Sequence, residues 1–531
     1  MKKLAKKILS VVLCLSVILC TCAVAVSTSA TDYASGTDIP LIYVVGTGAH
    51  LIADNPDGTT RKIFPLQLPE NFIMDTVEEN IDVFAKAVLT QEWDEFCDVA
   101  YGIVAPLYAD LMLDDDGNPR DNSRVDITMS KDRINPAKTN GKYGTEQFRF
   151  YYDWRIDPYV TAEKLHRYIE DVLEVTGEKE VALLGRCLGD CITAAYMEKY
   201  DGQYVRDYIS YASALNGAEF CTKAFCGEIY LDADGIERFV YDLELSTDNT
   251  INELIRAVVT VLNETYGLDF LAWSVNNVYP DIYLNIVPRL LRDMYGNFPA
   301  YWAMVSDEDY IKAKETVFYG VDKAEYANFI EIIDNYHYNV QVKAPEMFNK
   351  FKENGVNVAN VTKYGYQTLP VVKDADVIGE DFCTVYKASF GATTATIDTV
   401  LSDDYIAAAQ ANGTDRYISP DKQIDASTCV SPDTTWFIKN MQHKTFPESI
   451  NPLFNYIINA ENPTVFDNED FPQYLVYDYE TDTLSPMVSD NMNTTERYNP
   501  DFFEALKKVM EFLFNLIKDA ISNKMNPAPV E

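Results

Sequence analysis

Short apolar runs and amphipathic stretches take turns along the chain. The run Ile39-Pro40-Leu41-Ile42-Tyr43-Val44-Val45 stops at Gly46-Thr47-Gly48-Ala49, which predicts a buried strand ending in a glycine loop. From about 51 to 145, helical patterns such as 77–89 mix with a polar stretch at 114–122, whose acidic cluster lacks the spacing of a calcium-binding loop and reads as a solvated turn. A strand follows at 147–152, then Asp153-Trp154-Arg155, then an amphipathic helix at 161–175. A strand at 181–184 runs straight into Gly185-Arg186-Cys187-Leu188-Gly189 and a helix to Tyr200, with another strand at 208–212. Alternating strands and helices imply a doubly wound, mostly parallel sheet, an α/β fold.

The pattern then changes twice. Between 228 and 350 it turns helical and aromatic, with 251–262 and 283–294 as clear helices, and this predicts a cap inserted into the sheet domain. Strand character returns at 356–364, a short strand is expected at 417–418 ahead of Ser419-Pro420-Asp421, and the sheet is expected to close with 435–439 and His443. The expected organisation is therefore a leader at 1–30, a first core part at 31–227, the cap at 228–350, a second core part at 351–460 and an extension at 461–531. Within that extension, Phe502, Leu506, Val509, Leu513, Leu516 and Ala520 share one helical face, expected to dock on the core rather than on a membrane surface.

The N-terminus reads Met-Lys-Lys-Leu-Ala-Lys-Lys, an apolar run at 8–26 and then Ser27-Thr28-Ser29-Ala30, the pattern of a secretory signal cleaved after Ala30; an uncleaved anchor is the alternative. A formal charge of -38, from 82 acidic against 44 basic residues, repels phosphate backbones and argues against nucleic acid as a partner. With 47% hydrophobic residues, the chain has enough apolar material for a large core. Removal of the leader leaves Cys97, Cys187, Cys191, Cys221, Cys226, Cys383 and Cys429, an odd number that implies at least one free thiol outside the cell. No cysteine pair has zinc-site spacing and histidine is scarce, so neither a metal nor a cofactor is expected.

The chemistry concentrates at Gly185-x-Cys187-x-Gly189. It has the form of a nucleophile elbow with sulfur in place of the usual serine oxygen, and an apolar strand before and a helix after supply the context the elbow needs. A buried structural cysteine is the competing reading. The helix starting beyond Cys187 would aim its positive end at the sulfur and favour the thiolate. Leu188 can give one backbone N–H to an oxyanion and the Gly46 to Ala49 loop another. Of the four histidines, His443 alone follows a candidate acid in the order nucleophile, acid, histidine; His50, His166 and His337 fit less well. For the acid, Asp421 has Asp425 as a close rival and Asp433 as a more distant one. Cys191, one helical turn past Cys187, raises the prospect of a strained link that silences the thiol.

Together Gly46-Thr47-Gly48, Tyr152-Asp153-Trp154-Arg155, Gly185-x-Cys187-x-Gly189, the stretch 210–217, Asp421 and His443 resemble the lecithin:cholesterol acyltransferase-like lipase family within the α/β-hydrolases. The resemblance spans about 39 to 445 with gaps, and Tyr152-Asp153-Trp154-Arg155 is its most family-specific part. It implies an α/β-hydrolase fold and acyl hydrolysis or transfer on lipid esters, with oxyanion donors at Thr47 and Leu188. The chain departs from the family with Cys187 for serine, Arg186 where histidine is usual, and no proline in the first glycine loop. The expectation is a secreted acyl hydrolase or acyltransferase of the lipase, esterase or thioesterase type, using Cys187, His443 and Asp421. Its substrate would be a small acyl or lipid molecule, met with transient contact at a lipid interface; no protein partner is identifiable. An inactive relative that binds a lipid or a surface partner is the alternative.

Overall fold

A computed structural model describes residues 36–66, 92–242, 249–373, 376–492 and 502–511, with isolated positions between 76 and 90. The expected leader, most of the 77–89 helix and the tail beyond 511 lie outside the described residues.

The centre is a nine-stranded sheet. In chain order its strands are β1 (Leu41–Val44), β2 (Arg133–Ile134), β3 (Phe148–Phe150), β4 (Val181–Cys187), β5 (Val205–Ser213), β6 (Asn357–Tyr364), β7 (Thr435–Lys439), β8 (Tyr474–Asp478) and β9 (Thr483–Pro486). In space they run β9-β8-β7-β6-β5-β4-β1-β3-β2. Every pairing from β8 to β3 is parallel, and β9 and β2 close the two edges antiparallel. The parallel strands need cover on both faces, which is why β4 and β7 are buried along their whole length and read as continuous apolar runs.

Helices supply that cover. Of those that matter here, α1 (Asp94–Tyr108), α2 (Pro158–Thr176), α3 (Leu188–Tyr200), α4 (Gly267–Arg292), α5 (Ala344–Glu353) and α6 (Asn451–Asn459) follow in chain order. The bounds of α2 follow from local chemistry: the Asp157 carboxylate caps the Tyr159 N–H at 2.8 Å, Pro158 occupies the first turn, and Gly177 ends the helix at φ +72°. On β5, Tyr208 meets Phe348 of α5 and bonds to Asp190 of α3, whereas Tyr211 points the other way onto Phe454 of α6 and onto Phe446 in the loop before it. The sheet is thus sandwiched between helices.

Between β5 and β6 the chain makes a long helical excursion containing α4 and α5. Helix α1 comes from before the sheet's centre and joins that excursion, with Trp93 and Cys97 packed together with Ile286 of α4. Among the described residues no helix is long and apolar enough to cross a membrane.

Chain order fixes where a ligand crevice forms. From β1 the chain moves to β3 on one side, and from β4 it moves to β5 on the other, so β1 and β4 are neighbours whose outgoing connections diverge. A crevice opens at the carboxyl ends of such a pair. The glycine loop after β1 and Cys187 at the end of β4 both lie there.

Two expectations need correction. The sheet does not close at Lys439: β8 and β9 extend it through a segment expected to be an extension, because β8 is a run of only five residues and β9, Thr483-Leu-Ser-Pro, has no apolar alternation to betray it. The strand expected at 417–418 is also absent, since Asp415–Tyr417 forms a turn of 3-10 helix. In the tail, Ala505 is buried and Lys508 reaches Glu253 at 3.0 Å; Leu513, Leu516 and Ala520 lie outside the described residues.

Candidate active site

Cys187 ends β4 at φ +54°, ψ -126°, a conformation that side chains rarely adopt, and Leu188 begins α3 immediately after it. The flanking glycines make the corner sterically possible. A Cβ on Gly185 would come within 2.7 Å of Asp190 Cα, and one on Gly189 would collide with the Val44 carbonyl oxygen. The turn therefore packs α3 directly onto the end of β1 and pushes the sulfur forward.

Behind the corner, Asp190 is fully buried and bound by three hydroxyls: Tyr208 at 2.7 Å, Ser210 at 2.7 Å and Ser213 at 2.5 Å. Burial raises its carboxyl to about 6, against the pull of those hydroxyls. This cage ties α3 to β5.

His443 lies in the loop after β7. Its Nδ1 bonds Glu380 Oε1 at 2.6 Å, and its ring lies beside the Cys187 sulfur. Nδ1 is taken by Glu380, which leaves Nε2 for the sulfur. Burial lowers the imidazole, but the Glu380 carboxylate and the neighbouring Cys187 sulfur outweigh it and raise His443 to about 10. A two-stranded antiparallel ladder, Tyr366–Gln367 with Ile378–Gly379, folds the chain back beyond β6 and delivers Glu380 to this place.

The loop is pinned from below. The His443 carbonyl accepts from Lys363 Nζ at 2.7 Å and from Arg186 at 2.6 Å, while its N–H donates to the Glu380 carbonyl at 2.7 Å and to Asp381 Oδ1 at 2.9 Å. Lys363 also serves the carbonyls of Gln442 at 2.9 Å and Thr445 at 3.0 Å; burial lowers its amine to about 7, against the nearby Glu380 carboxylate. Arg186, the elbow residue where the family resemblance leads one to expect histidine, thus ties the strand that ends in Cys187 to the loop that carries His443.

Asp421, expected to be the acid, is elsewhere. Its carboxylate takes Lys439 Nζ at 2.8 Å, Tyr364 OH at 3.1 Å and Ser419 Oγ at 2.6 Å, a buried polar knot among β6, β7 and the 419–421 turn. The rivals are also engaged away from His443: Asp425 accepts from Tyr405 at 2.9 Å and Asp433 from Tyr417 at 2.6 Å. Chain order could not separate these carboxylates from Glu380, because all of them precede His443 and only the fold-back ladder decides which arrives. The sequence signal for Glu380 was a short apolar pair and a glycine, Ile378-Gly379-Glu380, between β6 and the histidine.

On the other side of Cys187 runs the glycine loop. A Cβ on Gly46 would sit 3.2 Å from Cys187 Cβ and 3.8 Å from its sulfur, so the backbone of Gly46 borders the thiol. The N–H of Leu188 belongs to the first turn of α3, where backbone donors have no partner within the helix. Trp154 fastens the loop by donating Nε1–H to the Ala49 carbonyl at 3.0 Å. Arg155, fully buried, grips Asp153 through both oxygens at 2.9 and 2.6 Å and reaches the Leu111 carbonyl at 2.8 Å and Ser123 at 3.0 Å. Tyr152-Asp153-Trp154-Arg155 therefore holds together the glycine loop, the 111–123 segment and, through Trp154 against Phe298 and Tyr301, the helical excursion.

The other candidates have structural surroundings. His337 is sandwiched on Tyr310 and bonds Gln341 at 2.7 Å; His166 stacks on Tyr200 at 4.0 Å; the His50 N–H is bound to Ser130 at 2.8 Å. All seven cysteines of the described chain are free and buried, and Cys191 turns its sulfur to the Ala303 carbonyl at 3.6 Å instead of linking to Cys187. Burial raises the Cys191 and Cys383 thiols well above the usual range, which removes them as competing nucleophiles. Among the described residues, two side-chain groups have donor atoms close enough to share an ion: Glu380, Cys383 and His443, and separately Cys226, Glu228 and Asp309. In the first the carboxylate and imidazole already bond each other; in the second Lys312 and Lys223 already occupy the carboxylates.

Compared with known proteins, the chain matches no protein-family model, and a search of curated proteins finds no match.

Proposed function

We propose that this protein is a secreted α/β-hydrolase that hydrolyses or transfers acyl groups through a covalent thioester on Cys187, with His443 as proton carrier and Glu380 as its acid. One observation carries the reading: a single imidazole bonds a buried carboxylate through one ring nitrogen and lies beside a cysteine held at a strained strand-to-helix corner.

In the first half-reaction the deprotonated sulfur attacks the acyl carbon and the carbonyl oxygen takes the negative charge, stabilised by the N–H of Leu188 and of Thr47. The bond to the leaving oxygen or sulfur then breaks as His443 Nε2 gives it a proton. In the second half-reaction water or an acceptor alcohol loses its proton to His443 and attacks the thioester, which releases the acyl group and restores the thiol. A thiolate leaves a tetrahedral intermediate more easily than an alkoxide does, so thioesters and activated esters should outrun plain alkyl esters. The imidazolium held by Glu380 is what makes ester cleavage feasible, because it protonates the departing alkoxide. Tyr266, Phe270 and Trp273, exposed at the start of α4, supply an aromatic surface suited to a lipid interface.

The test is a panel of acyl esters and thioesters of graded chain length, assayed before and after iodoacetamide. Turnover that disappears with alkylation and in Cys187→Ala is expected. Turnover that survives Cys187→Ala, or none with any donor, would discard the reading in favour of a non-catalytic lipid binder.

A further inference from the structure

Tyr152 follows β3 and is 2% exposed, yet its hydroxyl has no hydrogen-bond partner among the described residues. Such a group is unusual: most buried hydroxyls are paired, and an unpaired one costs about 1–3 kcal/mol. Its position explains what it is kept for. Val44 of β1 pairs with Phe150 of β3, so Gly46 and Tyr152 hold corresponding positions, each two residues past that pair, where the chain leaves the two neighbouring strands. Gly46 in turn backs onto Cys187. With no side chain at 46, nothing from that position stands between the tyrosine and the sulfur.

The strand order also says which side of the nucleophile this is. Reading across the sheet, the His443 loop follows β7, Cys187 ends β4, Gly46 follows β1 and Tyr152 follows β3. The base stands on one flank of the sulfur; Tyr152 stands on the other, beside the Gly46–Thr47 loop. With the proton carrier on the leaving-group side, a group there would face the carbonyl oxygen of a bound acyl donor.

We propose that the Tyr152 hydroxyl is a third donor to the oxyanion, added to the backbone donors of Leu188 and Thr47, so that the buried hydroxyl finds its partner only when an acyl group is attached or being attached to Cys187. This rests on the acyl-transfer reading above. Burial, with the Cys187 sulfur as the strongest charge neighbour, holds the phenol far above its ordinary range, so the hydroxyl keeps its proton and acts as a donor at every working pH. Trp154, two residues on, fixes the same loop from its other end, so one short segment both positions the glycine loop and adds a donor to it.

The experiment compares wild type, Tyr152→Phe and Cys187→Ala in two reactions at the same sulfur: turnover of an acyl thioester, which builds an oxyanion, and alkylation by iodoacetamide, which builds none. The expected result is a kcat for Tyr152→Phe lower by about 10- to 100-fold with KM nearly unchanged, while Cys187 alkylates at the wild-type rate. Equal loss in both reactions makes Tyr152 a packing residue that positions the thiol, and no loss in either removes it from the reaction; both results overturn the proposal. A wild-type enzyme that alkylates at Cys187 but turns over no acyl donor overturns the acyl-transfer reading itself, and this proposal with it.

Discussion

Glu380 and Asp421 are both buried carboxylates beside a lysine, and the difference between them lies in what each would lose on neutralisation. Glu380 orients His443 and raises its imidazole, so Glu380→Gln should leave the fold largely in place and reduce kcat/KM by about 10⁴-fold, as removal of the orienting charge from such a triad does. Asp421 compensates Lys439 inside a closed knot, so Asp421→Asn should cost about 3–5 kcal/mol in urea unfolding with the per-molecule kcat of the folded fraction preserved. Exchanged outcomes would return the acid role to Asp421. The pH profile checks the same assignment. His443 binds its proton more tightly when folded, at about 10 against 6.5 ordinarily, so the stabilisation from this pairing is complete below about 6.5 and fades as pH rises through about 10. Protonation of an alkoxide leaving group needs the imidazolium, so ester turnover should fall along an alkaline limb near pH 10, and Glu380→Gln should move that limb to lower pH. A limb that stays put would mean that Glu380 does not set it.

At the scale of elements, the elbow and the glycine loop form one mechanical unit. Because α3 rests on the end of β1 at Gly189, Gly189→Ala must push the helix off the Val44 carbonyl; we expect a loss of about 1–3 kcal/mol in thermal unfolding and a much larger fractional loss of activity, since the corner cannot shift without moving the sulfur. Trp154→Phe keeps most of the packing against Phe64 and Tyr301 but deletes the bond to the Ala49 carbonyl. It should cost about 1 kcal/mol of stability and still lower kcat, because the loop carrying the Thr47 donor loses its tether. Stability loss with unchanged kcat would show that the loop needs no tether.

At the scale of the whole molecule, the charge of -38 comes from 82 acidic against 44 basic residues, while Arg186 and Lys363 are buried where they hold the His443 carbonyl. Like charges spread over a surface repel and are screened by salt. The melting temperature should therefore rise by several degrees between about 0.02 and 0.5 M sodium chloride, whereas the buried pairs of the site are screened far less, leaving kcat for an uncharged ester nearly constant. A melting temperature indifferent to salt would mean the acidic surface is already locally compensated.

The sequence by itself determined what is local. Strand β7 appeared at 435–439 as read, β4 was legible up to the glycine where extended backbone runs on to the elbow, and G-x-C-x-G placed the sulfur at a corner because the collisions that require those glycines involve near neighbours and the adjacent strand. Scarcity singled out His443 among four histidines, and the fold sets it against Glu380 and beside Cys187. The carboxylate that bonds His443 was not legible, since Glu380, Asp421, Asp425 and Asp433 all precede His443 and differ only in where a fold-back ladder and a lysine knot send them. The roles of Arg186 and Lys363 were equally hidden, because one carbonyl brings together residues from three distant segments. Tertiary structure decided those pairings for a physical reason: a buried charge or hydroxyl takes whichever partner the packed core brings within about 3 Å, and that distance is set by topology and not by spacing along the chain.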